Sequence, residues 1–155
     1  NDFLAELAQI ERVDYVKQAN NDNLALVDGL GLYAGNDEVF ARTLDIGGLG
    51  GILVASHVVG DEMRRMVDEP DQRAEIDARL QDVWKAMGVT TNPIPVKAAL
   101  NMLGHRVGGL RRWHAEHLRR RVEQVVEIGH VVTPVRRPIW PVVRRCRGQS
   151  CHQLL

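Results

Sequence analysis

Val13-Asp14-Tyr15-Val16-Lys17-Gln18-Ala19-Asn20 is the stretch on which the fold turns. It reads as a short buried β-strand over residues 13–17 that ends on a lysine, Lys17, just before a polar turn. Two more apolar runs of similar length follow, Leu30–Ala34 and Gly51–Ala55. The last of these, Gly-Ile-Leu-Val-Ala, is apolar on both faces, as a strand sandwiched inside a parallel sheet must be.

Helical patterns lie before, between and beyond these runs. Phe3, Leu4, Leu7 and Ala8 form one stripe in residues 1–10. Asn20-Asn21-Asp22-Asn23 supplies capping residues for a short helix expected over Leu24–Val27, which Asp28-Gly29 breaks. Asp37 and Glu38 favour a helix start through the helix dipole; Val39, Phe40 and Leu44 give that helix its inner face, and Gly47-Gly48 stops it. Ser56-His57 closes the third strand, and a helix over residues 60–69 carries Met63, Met66 and Val67 until Pro70. The longest helix opens at Asp71 and ends at Gly88, with Ile76, Leu80, Val83, Trp84 and Met87 on its inner side. Residues 90–95 are irregular, but Pro95 suits the first turn of a last helix that continues through Val96, Ala99, Leu100 and Leu103 to Gly104. Such alternation implies parallel strands with right-handed crossovers, so the expected class is α/β, three parallel strands followed by helices. Three parallel strands make an open sheet with two raw edges rather than a closed barrel. A lysine at the carboxyl end of a parallel strand is placed where α/β-barrel enzymes keep their chemistry.

The 155 residues suffice for one domain but fall well short of the roughly 250 of a whole (β/α)8 barrel. No apolar run approaches the ~18–20 residues of a membrane span, so a soluble chain is expected. The zero net charge conceals a break: residues 1–110 hold 10 Lys+Arg against 17 Asp+Glu, and residues 111–155 hold 10 Arg against 3 Glu. Both cysteines, Cys146 and Cys151, lie beyond the break, so the body needs no disulfide, which fits a cytoplasmic location.

Four motifs in order give residues 1–110 a resemblance to the carboxyl-terminal half of the dihydrodipicolinate synthase (4-hydroxy-tetrahydrodipicolinate synthase) family. That family comprises pyruvate-dependent class I aldolase-type (β/α)8 barrels related to N-acetylneuraminate lyase. Tyr15-Val16-Lys17-Gln18-Ala19 is similar to the strand-six motif around the Schiff-base lysine. Tyr33-Ala34-Gly35-Asn36-Asp37 resembles the strand-seven Ser-Gly-Asp-Asp motif, with alanine and asparagine as departures. Residues 47–54 resemble strand eight and the turn before it, and Asn92-Pro93-Ile94-Pro95-Val96-Lys97 matches a family segment residue for residue.

The resemblance implies a partial TIM barrel comprising strands six to eight. It implies Lys17 as the catalytic amine, forming a covalent imine with pyruvate, so that neither a separate cofactor nor a metal is expected. It implies substrate contacts at Gly35, Asn36 and Ile52, the last through its backbone carbonyl. Aspartate semialdehyde is the implied second substrate, in lysine (diaminopimelate) biosynthesis, and the full-length family forms dimers or tetramers. The tyrosine and threonine proton relay, the arginine for the second carboxylate and the lysine-feedback site belong to the family's first barrel half. This chain taken alone is therefore expected to be inactive. The amine must be neutral near pH 7 although a free lysine titrates near ~10.4, so the site must desolvate it or set a cation beside it.

Without the motifs, a lysine at a strand end is ordinarily a solvated surface residue. Lys97 reads as a helix-surface lysine, and His57 and His105 as loop residues. A 2-keto-3-deoxy sugar acid aldolase or an N-acetylneuraminate lyase-like enzyme is the nearest rival function. Residues 111–155 raise a different class, a non-catalytic basic binding module. No nucleic-acid-reading motif accompanies the arginines, so nucleic acid is not expected as a partner. Such a compositional switch is what a shifted reading frame in a GC-rich gene would produce. Within it a helix is expected over residues 115–128, with Leu118, Val122, Val125 and Val126 inward, and poor order after Val132. Cys146, Cys151 and His152 lack the second ligand pair usual at a zinc site.

Overall fold

A computed structural model of the protein describes residues 1–109. The helix and disorder expected beyond Leu110 lie outside the described residues. Within them the elements run α1 (Asp2–Leu7), β1 (Tyr15–Gln18), β2 (Gly31–Ala34), α2 (Phe40–Asp45), β3 (Gly50–Gly51), α3 (Ser56–Asp68), α4 (Arg73–Met87) and α5 (Ile94–Met102). The strands form one parallel sheet in the order β1-β2-β3, with Lys17 in register with Tyr33, and Tyr33 with Gly50. The α/β class and the three parallel strands agree with the alternation read from the sequence.

One face of the sheet is covered. Leu32 and Ala34 are 1% and 0% exposed and share a core with Phe40, Val59, Met66, Ile76, Leu80, Val83 and Met87. The apolar spacing of α4 explains this: Ile76, Leu80, Val83, Trp84 and Met87 all lie on its buried side. Arg73, at the start of α4, holds two elements at once. Its Nε donates to the Met66 carbonyl (2.8 Å), and its guanidinium pairs with Asp45 at the end of α2.

Three expectations are corrected. Residues 24–27 are not helical: a 3-10 turn occupies Asn21–Asn23, Leu24 turns extended (φ −70, ψ 99), and Val27 bridges Leu30. The third strand is not a run to Ala55 but the pair Gly50–Gly51, extended by one bond from Ile52 N–H to the Ala34 carbonyl (2.9 Å). α3 starts at Ser56 rather than residue 60, and Val59 (φ −126, ψ 41) marks a kink where Gly60 had signalled a start. His57 accordingly sits in the first turn of α3, not in a loop. The third strand stops short because the backbone amides of Val54 and Ala55 bond the Asp37 carboxylate and so cannot extend the ladder. The stripe on α1 packs little, since Phe3 is 68% exposed and no residue of that helix is buried.

Candidate active site at the carboxyl ends of the strands

Residues in register on adjacent strands share a face, and successive residues alternate. Val16, paired with Leu32, therefore faces the helical layer, and Tyr15, Lys17 and Tyr33 face away from it. Gly50 joins them through its pairing with Tyr33. On this helix-free side the Tyr15 and Tyr33 rings meet edge to face, with centroids 5.8 Å apart. Tyr15 is 64% and Ile52 57% exposed, and Lys17 is exposed. The desolvation expected for the Lys17 amine is thus not supplied by the described residues, because none of their elements covers this side.

At the carboxyl ends of the strands the loops are tied together. The Asn36 side-chain amide donates to the Ala19 carbonyl (2.7 Å) and to Asn21 Oδ1 (2.9 Å). Asn21 in turn donates to Glu38 Oε1 (2.9 Å). On the other side, Asp37 Oδ1 accepts from the backbone amides of Val54 (3.1 Å) and Ala55 (3.0 Å). Burial raises the Asp37 carboxyl above its ordinary range; the two backbone bonds oppose this, Glu38 adds to it, and Lys17 opposes it more weakly. Gly35 lies between the two sets of bonds. Its N–H bonds the Gln18 carbonyl (2.7 Å), and a Cβ there would stand 2.7 Å from that oxygen and 2.9 Å from Ala19 Cα.

Sequence comparison places this arrangement. The model of the dihydrodipicolinate synthetase family matches residues 2–128. The chain belongs to this family. It is similar to the 4-hydroxy-tetrahydrodipicolinate synthases of Cyanothece sp. (37% identical over 120 residues) and Acaryochloris marina (38% over 122). Those matches cover 70% and 71% of this chain but 41% and 42% of the relatives. Among solved structures it resembles the lysine-bound dihydrodipicolinate synthase of Cyanidioschyzon merolae (29% identity, TM-score 0.72) and the enzyme of Thermotoga maritima (26%, TM-score 0.73). These cover 82% and 84% of this chain, which spans half of each of those structures. The family match continues past Leu110 into the arginine-rich segment.

As a dihydrodipicolinate synthase family member, the chain brings three of the four residues singled out from its motifs to one edge of the sheet. Gly35 and Asn36 lie directly after β2, and Ile52 follows β3 with its N–H on the Ala34 carbonyl. Lys17 is the third residue of β1, with only Gln18 beyond it in the strand. Asn36 does not offer a free side chain here, since its two amide hydrogens bond the loop after Lys17. Asn21 and Glu38 also belong to this edge, and Asp37, the last residue of the strand-seven motif, adds its bonds to Val54 and Ala55; no local pattern signals these partnerships. Lys97, read as a surface lysine, donates to the Gly109 carbonyl (3.1 Å). The described residues contain no cluster of three metal-ligating side chains, and none of their helices is long and apolar enough to cross a membrane.

The crowding at Gly35 has a measurable consequence. Gly35→Ala must push β2 away from backbone atoms of Gln18 and Ala19, which flexible side-chain movement cannot relieve. The expected cost is about 1–3 kcal/mol, the usual range for overpacking, read as a lower urea midpoint with an unchanged slope.

Proposed function

We propose that this chain carries the imine-forming part of a 4-hydroxy-tetrahydrodipicolinate synthase, with β1, β2 and β3 as barrel strands six, seven and eight. Lys17 is the nucleophile. Its neutral amine adds to the ketone carbon of pyruvate, and the carbinolamine loses water to give the imine. Loss of a methyl proton then leaves an enamine, whose carbon attacks the aldehyde of aspartate semialdehyde, and hydrolysis returns the lysine. The imine itself is the electron sink, so the reading calls for no separate cofactor. The Ile52 carbonyl and the Gly35-Asn36 turn border the pyruvate, in a cytoplasmic enzyme that assembles as a homo-oligomer.

One observation carries this reading: in a chain of this family, Lys17 lies near the carboxyl end of a parallel strand, on the side of the sheet away from the helices. The test is to incubate the full chain with pyruvate and borohydride and map the adduct by peptide mass spectrometry. Reduced pyruvate is expected on Lys17, slowly and without turnover of aspartate semialdehyde, because the described residues leave the Lys17 side of the sheet open to water and so supply none of the desolvation that speeds imine formation. An adduct on Lys85 or Lys97 in place of Lys17 would overturn the assignment.

A further inference from the structure

Resting on the reading of Lys17 as the imine-forming amine, we propose that Asn36 and Asp37 act as a two-sided clamp that positions Lys17 and the Ile52 turn. Asn36 is the arm that holds the Lys17 loop. The two residues are adjacent, yet they reach in opposite directions. Asn36 reaches back to the segment after β1, where it bonds Ala19 and Asn21. Asp37 reaches forward to the amides of Val54 and Ala55, two and three residues beyond Ile52. The carboxyl ends of all three strands are thus fastened through two consecutive side chains of β2's outgoing loop.

The identity of residue 36 matters for a physical reason. Both hydrogens of its amide are used, one on a main-chain carbonyl and one on Asn21 Oδ1. An aspartate, which the strand-seven motif has at this place, is the same size but donates nothing when ionised. In this chain it would set a carboxylate against two acceptors. Asn21 could turn its amide to meet it only by giving up Glu38. The asparagine is therefore matched to Asn21 and Ala19, and the departure from the motif is a working part of this loop. Residue 37 is different, because only an acceptor is needed there and aspartate provides one.

Neither side chain reaches the reacting atoms in this assignment: the Asn36 amide is spent on Ala19 and Asn21 and the Asp37 carboxylate on Val54 and Ala55, so each acts by fixing backbone. Hydrogen exchange and pyruvate trapping on the full chain, with Asn36→Asp and Asp37→Ala, form the test. In wild type the Asn36 side-chain amide protons are expected to exchange slowly and to appear shifted by NMR. Asn36→Asp is expected to speed backbone exchange at Asp22 and Asn23, and Asp37→Ala to do so at Val54 and Ala55. Amides of α4 serve as the folding control and should hold their rates in both variants.

In the borohydride assay Asn36→Asp is expected to lower the maximal trapping rate on the order of tenfold to a hundredfold, the scale of a misplaced reacting group. Half-saturating pyruvate should change less than the maximal rate, because the substitution acts first on the Lys17 loop. Normal trapping in Asn36→Asp, with wild type trapped at Lys17, overturns the clamp and leaves the Schiff base standing. Failure of wild type to trap pyruvate removes the Schiff-base reading instead. Exchange then decides the clamp alone: release of the named amides upholds it, and unchanged rates overturn it.

Discussion

Lys17→Arg is expected to abolish the pyruvate adduct while leaving the fold intact. Arginine keeps the positive charge and much of the length, and its guanidinium is not deprotonated at any pH at which the protein stays folded. It therefore cannot provide the lone pair that attacks a ketone. The side chain is exposed, and its face carries no helix, so the substitution removes no core contact. Surface changes of this kind usually shift stability by no more than about 0.5 kcal/mol. The measurement is peptide-resolved mass spectrometry after borohydride, beside a urea titration. Loss of the adduct with an unchanged midpoint is the expected pair of results; an adduct of wild-type yield would show that another amine reacts.

Leu80→Ala is expected to produce the largest loss of stability. Leu80 is 0% exposed at the middle of α4, within the cluster that seals the sheet from the helical side. Truncation removes three carbons' worth of burial and leaves a hole that a close-packed interior fills only in part. Comparable changes elsewhere cost about 2–5 kcal/mol, set against the about 5–15 kcal/mol that holds a typical domain together. Thermal unfolding should fall by at least several degrees, at about 2–4 °C per kcal/mol for a chain of this size. A shift smaller than that of Gly35→Ala would mean that the helical layer contributes less than the crowding at the strand ends.

Local pattern carried much of this fold. The spacing of Ile76, Leu80, Val83, Trp84 and Met87 located α4 and its buried side, because a helix that packs on one side writes that side at a 3.6-residue period. The three parallel strands followed from alternation, with β1 and β2 found within two residues of their ends. Errors arose where a distant side chain decides the backbone. The sequence marks Asp37 as a helix-start residue, and it does open a 3-10 turn ahead of α2. Yet it also accepts from amides 17 and 18 positions later, and no local periodicity records such a bond. The same holds for Asn36 and Asn21, whose partnership spans 15 positions. The place of Lys17 near the end of a parallel strand was legible, but not its exposure. Burial depends on what lies across the sheet, which the alternation of one strand does not encode.

The two margins of the sheet differ in what they present to another polypeptide. β3 is only two residues long, and the amides that would lengthen it are already satisfied by Asp37. β1, by contrast, runs four residues and, among the described residues, has a neighbour on one side only. An unoccupied strand margin is a template for backbone pairing. Among the described residues, a pairing peptide therefore finds four residues of ladder at the β1 margin and only two at the β3 margin.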